Sequence, residues 1–164
     1  MQNLKGFAPC LWFDSQAEDA AKFYCAIFPN SKIIYVSRYG NEGQDIHGRK
    51  PGSVATVEFE LSGHKIIALN GGPLFKFNEA ISLSLDARDQ KEVDYYSSKL
   101  TADGGEQGPC GWLKDKYGLS WQVVPSVLPE MLKDADRKRS DRVMKAMLQM
   151  HKLDVAKLQE AYND

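Results

Sequence analysis

Long apolar runs are missing from this chain of 164 residues. No stretch approaches the roughly 20 residues that span a bilayer, so a membrane-embedded protein is not expected. Charge of one sign is missing too: the formal net charge is −1, and no global field recruits nucleic acid or an anionic surface. The segment "KDADRKRSDRVMK" mixes six basic with three acidic residues, which describes a solvated helical connection rather than a phosphate-binding patch. Cysteine is scarce and odd in number: Cys10, Cys25 and Cys110 lack any C-x-x-C spacing. That argues for free thiols and a cytoplasmic location. The opening "MQNLKGFAPC" has no basic segment followed by an apolar one, so no secretory signal is expected. The three histidines, His47, His64 and His151, each stand alone, without a second histidine or carboxylate at ligand spacing.

What is present describes an ordinary globular chain, 43% hydrophobic and 26% charged. "FAPCLWF" reads as a strand whose Pro9 suits its entry. Asp14 and Ser15 offer N-cap chemistry for a helix whose stripe is Ala17, Ala20, Ala21, Tyr24, Ile27 and Phe28. "SKIIYVSRY" is a strand, followed by the polar stretch "GNEGQDIHGRKPGS". A hairpin comes next, with Ala55, Val57, Phe59 and Leu61 alternating on one face and "IIALNGG" as its return strand. The pattern then repeats. "AISLSLD" places Ile81, Leu83 and Leu85 on one face, a helix covers about 89–100 with Val93, Tyr96 and Leu100 inward, and "WLKDKYGLSWQVVP" forms a second hairpin.

A shift of 72 carries Leu11 onto Leu83 and Phe23-Tyr24 onto Tyr95-Tyr96, and the hairpin match carries Gly63 onto Gly118. Each half is therefore strand–helix–strand–strand–strand, an internal duplication. The fold class expected is α+β: two βαβββ modules, about 1–77 and 78–125, forming one curved-sheet domain over 1–125. A helical extension over 126–164 belongs to the same domain. Its stripes, Val143, Met144, Met147 and Leu148, then Val155, Leu158 and Tyr162, need a surface to cover, either the sheet or a partner subunit.

Paired βαβββ units resemble the vicinal-oxygen-chelate superfamily of glyoxalases, extradiol dioxygenases and bleomycin-resistance proteins. "FAPCLWFDSQAEDAAKFYCAIFPNSKI", "CGWLKDKYGLSWQVVP" and the tail "RVMKAMLQMHKLDVAKLQEAY" narrow the resemblance to its PhnB-like subgroup, often labelled 3-demethylubiquinone-9 3-methyltransferase. The resemblance implies a homodimer and a concave pocket lined by the sheets. It also implies metal ligands on the first and last strands of each module in the metal-dependent members. Those places fall at Pro9, Ile67, Ile81 (or Ala80 or Ser82) and Gln122; proline and isoleucine cannot bind a metal, and Gln122 offers one neutral oxygen. No divalent metal and no other cofactor is therefore expected. The glycine clusters "GNEG", "NGG", "DGG" and "CGW" do not follow the strand–turn–helix order of a nucleotide cradle, so the methyltransferase label finds no cofactor motif.

Gln122, Trp12, Asn70, Ser84, Phe75 and Trp112 are the candidate pocket residues, a few polar groups among aromatics suited to a small apolar or aromatic ligand. The 40–53 stretch, with Arg49 and Lys50, reads either as a lid or as a plain connection. Three readings of function stand: a metal-free small-molecule binder, an enzyme of glyoxalase, dioxygenase or transferase type, and a structural protein whose pocket is packed shut.

Overall fold

The computed structural model describes residues 6–164. They form two compact units, which divide between residues 76 and 77. In the first, β1 (Cys10–Phe13), α1 (Ala17–Ile27), β2 (Lys32–Arg38), α2 (Gln44–His47), β3 (Val54–Leu61) and β4 (His64–Asn70) follow in order. The sheet order is β1-β4-β3-β2, with β1 parallel to β4 and the other pairs antiparallel.

Alternation decides the faces. Leu11, Phe13, Val57, Phe59, Leu61, Ile66 and Ala68 are buried, and α1 packs on β3 and β4 with Ala17, Ala20, Ala21, Tyr24 and Ile27 inward. The small alanines bring the helix close, and the Tyr24 ring stacks on Phe59 at 6.2 Å between centroids. Each large side chain so buried contributes about 1.5–3 kcal/mol. The β3–β4 turn is the two residues Ser62 and Gly63, at φ 47° and 85°, the left-handed pair of a type I′ hairpin.

The start of α1 differs from expectation. Neither Asp14 nor Ser15 caps it; Gln16 stands at the N-cap without a side-chain bond. The Ala17 amide donates instead to Asn70 Oδ1 at 2.8 Å, across from the end of β4. Asp14 turns to Arg49, 3.6 Å away. The 40–53 stretch is also more ordered than its composition suggests. It contains α2, the His47 ring lies 4.5 Å from Tyr39, and the Arg49 amide donates to His47 Nδ1.

The second unit runs β5 (Ser82–Ala87), α3 (Gln90–Leu100), β6 (Glu106–Gln107), β7 (Trp112–Lys114), β8 (Ser120–Pro125), α4 (Val127–Leu132), α5 (Arg137–Met147) and α6 (Val155–Asn163). Its sheet order is β5-β8-β7-β6, with β5 parallel to β8, the same wiring as the first. Asp89 caps α3 by accepting from the Glu92 amide. Val93, Ser97 and Leu100 are the buried positions of α3, where Tyr96 was expected, and Ile81 is 58% exposed and precedes the strand. The strands correspond at an offset of 74, Phe13 ending β1 and Ala87 ending β5, and the connection is one residue shorter: Arg88 and Asp89 link β5 to α3, whereas Asp14, Ser15 and Gln16 link β1 to α1. The helices therefore correspond at an offset of 73 rather than 72, placing Ser97 rather than Tyr96 opposite Tyr24.

The terminal helices make a core of their own. Leu128, Val143, Leu153 and Leu158 are buried together, with Val124, Met131, Leu132, Met147, Met150 and Tyr162 against them. Within the expected stripe, Met144 and Leu148 stay outside, 41% and 58% exposed. Two backbone bonds, Cys110 N to Met150 O and Gly111 N to His151 O, both 2.7 Å, tie the segment to the entrance of β7. Gly111 has φ 81°, and a Cβ there would press on Val123 O and the Leu153 side chain, so glycine is required. Among the described residues no helix is long and apolar enough to cross a membrane.

Candidate ligand site on the second sheet

In β8, Trp121 and Val123 are buried on the side of α3, so Ser120, Gln122 and Val124 belong to the open face. Register extends that face into rows. Gln122 pairs with Ser84 on one side and Trp112 on the other. Ser120 pairs with Ser82 and Lys114, and Lys114 with Glu106. Two polar rows thus lie side by side across the open face, and Gln122 Nε2 joins them by donating to Ser82 Oγ at 2.9 Å. Val124, farther along the same face, packs against the terminal helical core.

The second row holds an unusual group. Ser120 is 1% exposed, and its Oγ has no hydrogen-bond partner among the described residues. Leaving a buried hydroxyl unpaired costs about 1–3 kcal/mol, so such a group calls for an explanation. It lines a cavity of about 390 Å³ together with Glu79, Glu106, Pro109, Trp112 and Lys114. Lys114 is ion-paired with Glu79. That contact holds the Glu79 carboxyl below its ordinary range and the Lys114 ammonium above its own.

Asp115 supports the row from behind. It is 2% exposed and accepts from Tyr117 N at 2.8 Å, Leu119 N at 3.1 Å and the Trp121 indole at 2.8 Å. These bonds shape the β7–β8 turn, whose Gly118 has φ 84°, and so set the register of Ser120 and Gln122.

Of the six candidates read from the sequence, the structure brings Gln122, Ser84 and Trp112 into one row. Trp12 and Phe75 meet in the first unit, edge to face at 4.9 Å. The Trp12 indole donates to Gly72 O at 2.8 Å and covers Gly71, where a Cβ would overlap the ring. Asn70 lies on the helix side and is committed there, its Oδ1 to Ala17 N and its Nδ2 to Val54 O. Ser82, Ser120, Lys114 and Glu79 were not among the candidates. Ser120 was legible by its two-residue spacing from Gln122; the others needed the register.

The register moves the positions that the sequence resemblance implied for a metal. Cys10 pairs with Ile67, and Ser84 with Gln122, so the partner of Gln122 is Ser84 rather than Ile81. A thiol, an aliphatic side chain, a hydroxyl and an amide are a poor donor set for a divalent ion. Among the described residues, no group of three or more histidine, cysteine, aspartate or glutamate side chains could hold a metal ion.

Comparison with known proteins agrees with this architecture. The PhnB protein of Bacillus cereus, which bears the 3-demethylubiquinone-9 3-methyltransferase name, is 32% identical. The match covers 74% of this chain and 99% of that one, with a TM-score of 0.63. The fold alone is shared with a protein of Pseudomonas aeruginosa (17% identity, 73% and 96% covered, TM-score 0.56). It is likewise shared with the fosfomycin resistance protein FosX of Listeria monocytogenes (18% identity, 78% and 98% covered, TM-score 0.52). No curated protein matches. The model of the 3-demethylubiquinone-9 3-methyltransferase family matches residues 5–124, and with its paired βαβββ units the chain belongs to this PhnB-like family, similar in structure to vicinal-oxygen-chelate proteins.

Proposed function

We propose that the protein binds a small molecule with a flat apolar part, on the open face of the second sheet and without a divalent metal. The observation that carries this is the row Ser84–Gln122–Trp112, an amide and a hydroxyl in register with an indole. The amide orients a polar group while the ring accepts the apolar body. Enzymatic turnover of glyoxalase, dioxygenase or methyl-transfer type is the competing reading. It is disfavoured because Gln122, Ser82, Ser84 and Ser120 supply no general acid or base, and the neighbouring Lys114 and Glu79 are ion-paired with each other. Methyl transfer gains no support from "NGG" either: Gly71 is covered by Trp12, and Gly72 by Arg49. The protein acts as a homodimer in the cytoplasm on this reading, which the exposed Met144 and Leu148 and the three free thiols support.

A thermal-shift screen of small aromatic compounds, run with and without chelator, tests the proposal. Hits are expected to raise the Tm equally in both conditions. Gln122→Leu, which keeps the volume and removes one hydrogen bond, is expected to weaken a hit by about tenfold. Binding that vanishes with chelator, or turnover of a hit that Gln122→Leu abolishes, refutes the reading.

A further inference from the structure

Resting on that reading, we infer that the cavity at Lys114 takes a carboxylate of the small-molecule ligand, and that Glu79 holds its place in the free protein. Three observations converge. The Ser120 hydroxyl is buried, lines the cavity and has no partner among the described residues, so an acceptor is missing beside it. Lys114 is its cross-strand neighbour, and adjacent strands stand about 4.8 Å apart, so one small group can reach both the hydroxyl and the ammonium. The acceptor now on Lys114 is Glu79, from the turn before β5, and this pair is accessible: the two side chains are 39% and 63% exposed. Such ion pairs contribute little, so a second carboxylate exchanges with Glu79 at small cost.

A ligand carboxylate that enters deeper keeps the Lys114 contact and gains the Ser120 O–H as a second, charge-assisted donor. Glu79 makes only the first. The two donors suit the two oxygens of a carboxylate. A phosphate dianion is less well matched, because Glu106 stands in the same row as the single cation. Trp112, one row over, is placed to cover a flat body attached to the carboxylate.

The test uses titration calorimetry on the full chain with three probes: naphthalene-2-carboxylate, its carboxamide and 2-naphthyl phosphate. The carboxylate is expected to bind at least tenfold tighter than the other two. Glu79→Gln should tighten the carboxylate severalfold and leave the carboxamide unchanged. Ser120→Ala should weaken the carboxylate about tenfold while the Tm stays level or rises, since the removed hydroxyl had no partner. Equal binding of acid and amide, with no response to Glu79→Gln, overturns the carboxylate subsite and leaves the binding reading standing. Tighter phosphate binding overturns the choice of anion, and no binding by any probe overturns both proposals.

Discussion

Asp115 offers a quantitative test of how the β7–β8 turn is held. Asp115→Ala removes an acceptor from three donors, and two of these, Leu119 N and Trp121 Nε1, belong to residues 1% exposed that water does not reach. Each abandoned buried donor costs about 1–3 kcal/mol, partly offset because a buried carboxylate no longer has to be desolvated. The net loss expected is about 3 kcal/mol, a large share of the roughly 5–15 kcal/mol of a typical domain. Asp115→Asn separates the contributions. Its oxygen still serves Tyr117 N and Leu119 N, but its NH2 faces the indole N–H, donor against donor, and about 1–2 kcal/mol is lost. Urea unfolding followed by far-UV circular dichroism measures both, and the slope with denaturant should stay constant. A loss below about 1 kcal/mol for Asp115→Ala, or a larger loss for Asp115→Asn, refutes the account.

Gly71→Ala should push the Trp12 indole off its seat and destabilise the protein by about 1–3 kcal/mol, as overpacking does. Thermal unfolding checks this, and an unchanged Tm would mean that the ring moves freely. At the other end of the chain, the Tyr162 hydroxyl donates to Asp134, which holds that carboxyl below its usual range. A carboxyl whose folded value is depressed stabilises above its unfolded pKa of about 3.9, and the contribution is lost as pH falls through the folded value. Acid-unfolding curves of wild type and Tyr162→Phe should therefore differ above about pH 4 and converge below it. A constant gap across that range would assign the effect to packing alone.

The duplication was legible because it is written in alternation and helical spacing, which a slip of two residues in the strands and one in the helices does not erase. The slippage itself was not legible. Whether Arg88 and Asp89 do the work of Asp14, Ser15 and Gln16 is decided by where the chain turns, and the repeated Tyr24 and Tyr96 suggested the wrong partner. Asn70 was misleading for a related reason. A polar residue at the end of a strand reads as a pocket group, whereas here it supplies the cap that α1 does not find in Asp14 or Ser15. Gln122 could be singled out as a polar residue in an apolar strand. Its neighbours Trp112 and Ser84 became a row, and Lys114, Ser82 and Glu106 a second, only through pairing between strands up to forty residues apart.

The restated correspondence also shows where the two modules have diverged. Matching Gln122 with Ile67 and Ser84 with Cys10 pairs Trp112 with Glu58, Ser120 with Lys65 and Lys114 with Glu60. In the first module those positions close on themselves: Lys65 pairs with Glu58 at 2.6 Å, and Glu60 with Lys32 at 3.6 Å. In the second, the equivalent of Lys65 is a serine whose hydroxyl has no partner among the described residues, and the equivalent of Glu58 is an indole. Apart from Asn70, the helix-side strand residues have stayed apolar in both, because one core must be filled in each unit. The open face is free of that demand, and its pairing has been completed in one copy and left incomplete in the other. On the proposed reading this is what separates a binding face from a solvated one, a buried polar group left without a partner among the described residues.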